Sequence, residues 1–212
     1  FVEPWFLDRK LSLGADVYDR TRNNISRYYD ESRLGGALTL GRPLPGFFQR
    51  VNLQYRLEQI DIHNVSSNAV PAIRNDEGDW NDSSLRLTFV HDSRDSVFIP
   101  TRGGKLSLSG FASGGPLGFD VDVYGFEGDG TIHLPLLFDH VLSLRGWVKT
   151  VESYGGTDTV PVFDRLFLGG PRTLRGYRYL EVSPYEGGQP VGGRSAALAT
   201  VEYTVPLYKN IL

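Results

Sequence analysis

RVNLQYRLE, residues Arg50–Glu58, is the stretch on which the fold turns. Val51, Leu53, Tyr55 and Leu57 alternate with Arg50, Asn52, Gln54, Arg56 and Glu58. In an extended chain the first set shares one face and the charged or polar set shares the other. LSLGADVYDR (11–20) opposes Leu11, Leu13, Ala15 and Val17 to Ser12, Gly14, Asp16 and Tyr18, and LRLTF (85–89) opposes Leu85, Leu87 and Phe89 to Arg86 and Thr88. In YGFEGDGTIHL (124–134) Tyr124, Phe126, Ile132 and Leu134 stand against Glu127, Asp129, Thr131 and His133. VLSLRGWVK (141–149) and ALATVEYTV (197–205) repeat the pattern, and weaker copies occupy 34–40 and 105–112. Counted along the chain, these segments predict eight antiparallel strands.

Composition narrows the class. The chain has 212 residues, a net charge of −3 and no cysteine. One all-β domain of that length is ordinary, disulfides and thiolate metal sites are excluded, and no basic excess points to nucleic acid. No apolar run reaches the ~18 residues of a membrane-crossing helix, a test that a β-barrel escapes because its strands are short and only half apolar.

Two features favour a barrel spanning a membrane. Full charges line the polar face of most strands, and the strands run to about ten residues, the length of a tilted crossing strand. Connections also alternate in length. RPLPG (42–46), RDSVFIPTRGG (94–104) and PLLFD (135–139) are short, whereas 21–33, 61–84 and 152–194 are long, with only the link near 114–119 short on the long side. Short turns at one end and long loops at the other are the layout of outer-membrane barrels. Aromatics near strand ends are expected to form two interfacial girdles. One would hold Trp5, Phe6, Phe47, Phe48, Phe98, Phe138 and Tyr208, the other Tyr28, Tyr29, Phe111 and Tyr154. The alternative, a soluble lipocalin-like barrel or sandwich, would carry fewer strand glycines.

Catalytic signatures do not emerge. His63, His91, His133 and His140 lack metal-ligand spacing, and neither a G-x-S-x-G elbow nor a P-loop occurs. Glu127 and Asp129 share a face and could do acid–base work, but a charged inner wall opposite Arg145 and Lys149 is the better reading. Neither an enzyme nor a cofactor is expected.

Three motifs carry a resemblance. FLGGPRTLRGY (167–177) closely resembles the loop motif of the BamA-type outer-membrane assembly proteins and their two-partner-secretion relatives, the bacterial surface antigen family. Its tip is Arg175, Gly176 and Tyr177, preceded by Gly169 and Gly170. HDSRDSVFIPTRGGKLSLSG (91–110) is similar to the family's turn, through Asp92, Arg94, Asp95, Pro100 and Gly103, and VEPWF (2–6) matches a strand ending. The resemblance implies a long extracellular loop, 152–194, folded back into the barrel, with Leu166, Phe167 and Leu168 packing its stem. It also implies an acid partner for the loop arginine, and the alternation puts Glu202 on the inner face of the next strand; a buried Arg without a partner would be costly.

Family barrels have about sixteen strands and are preceded by periplasmic POTRA domains. The eight strands here, with no POTRA domain, suggest a central fragment or an unusually small member. The resemblance further implies an integral outer-membrane protein, bacterial or organellar, in contact with lipid. In full length it would insert unfolded β-barrel clients, or instead pass a secreted polypeptide; a small structural barrel is the remaining alternative. An eight-stranded barrel has an interior only wide enough for side chains. The isolated segment is therefore expected to close on itself and expel the loop, or to form a homodimer by edge-strand pairing.

Overall fold

The structure is a computed structural model that describes residues 1–23, 26–46 and 48–206. One antiparallel sheet dominates it. After a two-residue strand β1 (Val2–Glu3) come β2 (Ser12–Arg22), β3 (Asp30–Pro43), β4 (Gln49–His63), β5 (Gly78–Asp92), β6 (Gly103–Ser113), β7 (Val123–Pro135) and β8 (Val141–Ser153). A small hairpin, β9 (Tyr185–Glu186) and β10 (Gln189–Pro190), lies within the last long loop, and β11 (Ser195–Thr204) ends the sheet. Each strand pairs with its sequence neighbour and β11 pairs with β8, so the chain is a meander interrupted only by that loop. The one α-helix among the described residues, α1 (Pro71–Arg74), is a single turn in the β4–β5 connection. No described helix is long and apolar enough to cross a membrane, which says nothing of strands.

The register keeps the two faces chemically distinct. Leu53 sits opposite Leu87, Thr88 opposite Ser109, Glu127 opposite Lys149 and Arg145 opposite Thr200. Leu38, Leu53, Leu87, Leu108, Phe126, Ile132, Val148 and Val201 are exposed on the outer face. An apolar face of this extent would not stay in water, since exposed apolar patches on soluble monomers are small. The buried core lies on the other side, at the long-loop end. Ile60 and Ile62 of β4, Val123 of β7 and Val151 of β8 meet Val160, Val162, Phe163 and Leu166 of the 154–194 loop, with Ile73 of α1.

Several expectations are corrected. β3 and β5 run well beyond 34–40 and 85–89. Above the apolar band both faces of β5 are polar, as in Asp79-Trp80-Asn81-Asp82, so the alternation that marks a strand disappears while pairing continues to Gly78. The edges do not close on each other, and the loop is not expelled: the order ends at β1 on one side and β11 on the other. The physical reason is the apolar filling. A loop that contributes Val160, Val162, Phe163 and Leu166 to a common core needs more room than an eight-stranded interior gives.

The girdles also change. Trp5, Phe48, Phe98 and Phe138 are exposed at the short turns, whereas Phe6 is half-buried; Phe47 and Tyr208 lie outside the described residues. On the long-loop side Tyr29 is in the core and Tyr28 packs against it. Phe111 points inward, with the Arg86 guanidinium 4.7 Å above its ring, because its parity in β6 is that of Lys105, Ser107 and Ser109. Tyr154 remains at its strand end, where its hydroxyl donates to Ser113 O at 2.6 Å and its ring meets Tyr124 edge-on.

Candidate functional site: the inner wall and its docked loop

Alternation delivers a ladder of charges to the inner face, and register pairs them. Arg33 donates through Nε to Glu31 at 2.7 Å and through Nη1 to Glu58 at 3.4 Å. Arg56 bridges Glu58 at 3.3 Å and Asp82 at 3.7 Å. Further along, Arg86 and Lys149 both approach Glu127, at 3.5 and 3.9 Å, and Trp147 Nε1 donates to the same carboxylate at 2.9 Å. Arg145 grips Asp129 with two hydrogen bonds of 3.1 and 2.6 Å. Glu127 is thus occupied by Arg86 of β5 and Lys149 of β8, and Asp129 by Arg145 of β8. Among the described residues no group of three or more His, Asp or Glu could hold a metal ion.

The β5–β6 turn is built by its own side chains. Arg94 doubles onto Asp92 at 2.8 and 2.7 Å, and Asp95 accepts from the N–H groups of Thr101 at 2.9 Å and Arg102 at 3.2 Å. Those bonds, with one from the Thr101 hydroxyl first among them, hold the Asp95 carboxyl well below the usual range. Pro100 precedes the returning N–H donors, and Gly103 starts β6 at φ 89°, where a Cβ would lie 2.2 Å from Ser93 O. Only glycine fits there. The result is a fixed turn that presents Val97, Phe98 and Ile99 outward.

The long loop is anchored at its stem. Leu166 exchanges backbone hydrogen bonds with Gly193, and Leu168 with Val182. Leu166 is buried in the core and Phe167 packs against it. Arg33 reaches from β3 to donate to Phe163 O at 3.0 Å. Arg165 is more deeply committed: Nε donates to Val160 O at 2.7 Å, Nη1 to Ala72 O at 3.0 Å and Val191 O at 3.2 Å, and Nη2 to Asp76 at 3.3 Å. Asp76 also accepts from Val162 N–H at 2.8 Å.

The tip is different. Gly169 has φ 114° and a Cβ there would lie 2.0 Å from Arg178 O, so this turn needs glycine, and Gly170 N–H donates to Tyr177 O at 3.0 Å. Arg175 Nη2 lies 3.1 Å from Glu202 Oε1, but the two side chains are 80% and 51% exposed. Gly176 and Tyr177 are exposed beside it. A cleft of about 400 Å³, lined by His133, Arg145, Leu174 and Thr200 among others, lies between the tip and the wall beside the Arg175–Glu202 contact.

The sequence profile of the Omp85 superfamily domain matches residues 1–211. The chain belongs to the Omp85 superfamily. It is 31% identical over 209 residues to "Outer membrane protein assembly factor BamA" of Nitratidesulfovibrio vulgaris, covering 96% of this chain and 25% of that protein. It is 29% identical over 147 residues to the human "Sorting and assembly machinery component 50 homolog", covering 68% of this chain and 30% of that protein. Among solved structures, BamA from Haemophilus ducreyi lacking POTRA domains 1–3 superposes with a TM-score of 0.82 at 21% identity, over 99% of this chain and 45% of that one. The Omp85 chain thus has the fold of part of a larger barrel wall, and it spans about a quarter to a third of the curated relatives cited.

Within this Omp85 wall the structure brings together Arg175 with Glu202, and Asp92 with Arg94, and it surrounds Asp95 with turn donors. It does not enclose Arg175. Enclosed arginines that meet the loop are Arg33 and Arg165, with side chains 15% and 12% exposed. Neither was singled out from sequence. The available signal was VPVFDRLF (160–167), where Asp164 and Arg165 interrupt an apolar run. Charges embedded in such a run are either solvated by a turn or paired in a core.

Proposed function

We propose that this chain forms part of the transmembrane wall of an outer-membrane β-barrel of the assembly type, which in full length folds and inserts client β-barrel proteins. The carrying observation is the likeness to an assembly factor along 96% of the chain. The docked loop and the charged inner wall support it. The outer apolar face meets lipid, and the unfolded β-barrel client is the protein partner. In this reading the protein works without cofactor or enzymatic turnover. The mitochondrial relatives support either a bacterial or an organellar outer membrane as its location.

The free edges at β1–β2 and β11 expose unpaired N–H and C=O groups, which hydrocarbon does not tolerate. Further strands complete the wall, from a longer polypeptide or from a second copy of this chain. The function is tested by reconstituting the full-length protein in liposomes and adding an unfolded outer-membrane barrel. Folding is scored by the heat-dependent shift in gel mobility. Acceleration of at least tenfold over empty liposomes is expected. No acceleration, with an unfolded secreted polypeptide entering the vesicles instead, would move the protein to the secretion branch.

A further inference from the structure

We propose that Arg165 is a residue that positions the 154–194 loop in the barrel, by fastening it to the β4–β5 connection, a fastening separate from the Arg175 tip pair. This deepens the reading of the chain as an assembly barrel and rests on it only for the loop's use, not for its position.

Arg165 joins three separate segments. Its guanidinium spends four of five N–H donors on Val160 O, Val191 O, Ala72 O and Asp76. Val160 and Val191 belong to the outgoing and returning arms of the loop, so the Arg sets the distance between them. Ala72 and Asp76 belong to α1 and the residues after it, so the Arg also sets where the loop stands relative to the neighbouring connection. The planar fork fixes direction as well as distance, which an ammonium cannot do. Second contacts run parallel to it: Val70 N–H donates to Gln189 Oε1 at 3.0 Å, and Gln189 Nε2 donates to Asn68 O at 2.6 Å. The two connections therefore meet as one cap over the core formed by Ile60, Ile62 and Val151.

The enclosure of this fastening does not depend on any further strand. Arg165 and Asp76 are only 12% and 9% exposed within this chain alone, whereas Arg175 and Glu202 stand beside the β11 edge that further strands would cover. An exposed ion pair is screened and worth little, whereas removing one partner of a buried pair strands the other charge. Apolar residues would have filled the same volume at no desolvation cost. What the buried Arg adds is a unique position for the loop.

The test uses the full-length protein in detergent and in liposomes, with the parent, Arg165→Ala and Arg165→Lys. Two readouts are taken: the rate of protease cleavage within 154–194 and the folded band on unheated gels. Arg165→Ala should raise cleavage at least tenfold with the folded band retained, and Arg165→Lys should stay at least threefold above the parent. A second background carries Asn68→Cys and Gln189→Cys. Its oxidised form should return Arg165→Ala to within twofold of the parent, and its reduced form should not. Cleavage within twofold of the parent in Arg165→Ala would overturn the proposal. So would full rescue by Lys, or loss of the folded band even with the disulfide closed, which would make Arg165 a residue of folding rather than of position. Client insertion is measured separately: its absence in the parent defeats the proposed function and leaves the loop readout standing.

Discussion

Asp164 should make loop docking depend on pH, and in the direction opposite to that of most carboxylates. The inner wall around it already balances: Arg33, Arg56, Arg86 and Lys149 face Glu31, Glu58, Asp82 and Glu127. Asp164 brings a fifth acid to four cations. Burial first, and then the nearby Asp82, push its carboxyl from 3.8 up to about 6, against the pull of Arg33, Arg56 and Lys149. The docked loop thus binds a proton that the undocked loop does not hold between pH ~6 and ~4. Docking strengthens as pH falls through that window, and above it the full penalty of the ionised acid is present. Two pKa units correspond to about 3 kcal/mol. Asp164 keeps some solvent contact, so screening reduces this to about 1–2 kcal/mol, or roughly tenfold in the docked population. Nitroxides on Cys substituted at positions 172 and 137, one on the loop tip and one on a short turn, would report docked and undocked distances in lipid from pH 7.5 to 4. Asp164→Asn should raise the docked fraction at pH 7 and reduce the slope. Asp76, which burial also pushes upward, leaves a residual slope of the same sign. Docking that weakens steadily on acidification, or an unchanged slope in Asp164→Asn, would refute the reasoning.

On the outer face, Leu87→Arg should destabilise the lipid-embedded protein by about 2–4 kcal/mol if it lies near the midplane, while Thr88→Gln on the inner face changes little; urea titration in liposomes compares them, and equal costs would contradict the assignment of faces. With Arg175 and Glu202 exposed as they are in this chain alone, Arg175→Ala and Glu202→Ala should each cost less than about 1 kcal/mol, and a double-mutant cycle should give a coupling of the same small size; larger values in the full-length protein would show that further strands cover the pair. Cys placed at Asp16 and Thr200 should form no disulfide within one chain, since β2 and β11 lie at opposite ends of the sheet order; a high intrachain yield would restore the closed eight-stranded barrel.

Strand positions were legible because the apolar band writes a period of two into every crossing segment. Leu53, Leu87 and Leu144 face outward and Arg56, Arg86 and Arg145 face inward, as their parity requires. What parity could not give was the extent of β3 and β5 beyond the band, where Asp79, Asn81 and Asp82 are polar on both faces. Nor could it give the fate of the edges, which depends on what occupies the inner side. The turn motif was readable from Asp92, Arg94, Asp95, Pro100 and Gly103 because its contacts span only a few residues. The loop's anchor was not, since Arg165 meets Ala72 across 93 positions and Asp76 across 89.

Arg175 does meet Glu202, at 3.1 Å, but the loop's enclosed arginine went unread for a specific reason. A motif draws the eye to Arg175, and cost arguments about a buried charge then seem to apply there. Those arguments are sound, but they hold for the arginine that is buried. In VPVFDRLF the apolar residues Val160, Val162, Phe163 and Leu166 go into a core with Ile60, Ile62 and Val151, and they take the intervening Arg165 in with them. Once enclosed, a guanidinium must find acceptors for its N–H groups, and the nearest are the carbonyls of the two connections it lies between. The same residues that make the stem apolar enough to dock therefore force a polar junction at its centre. A loop anchored in that way can present a glycine-rich, exposed tip without depending on it. Position is fastened where the chain is dry, and the tip keeps its own contact, Arg175 with Glu202.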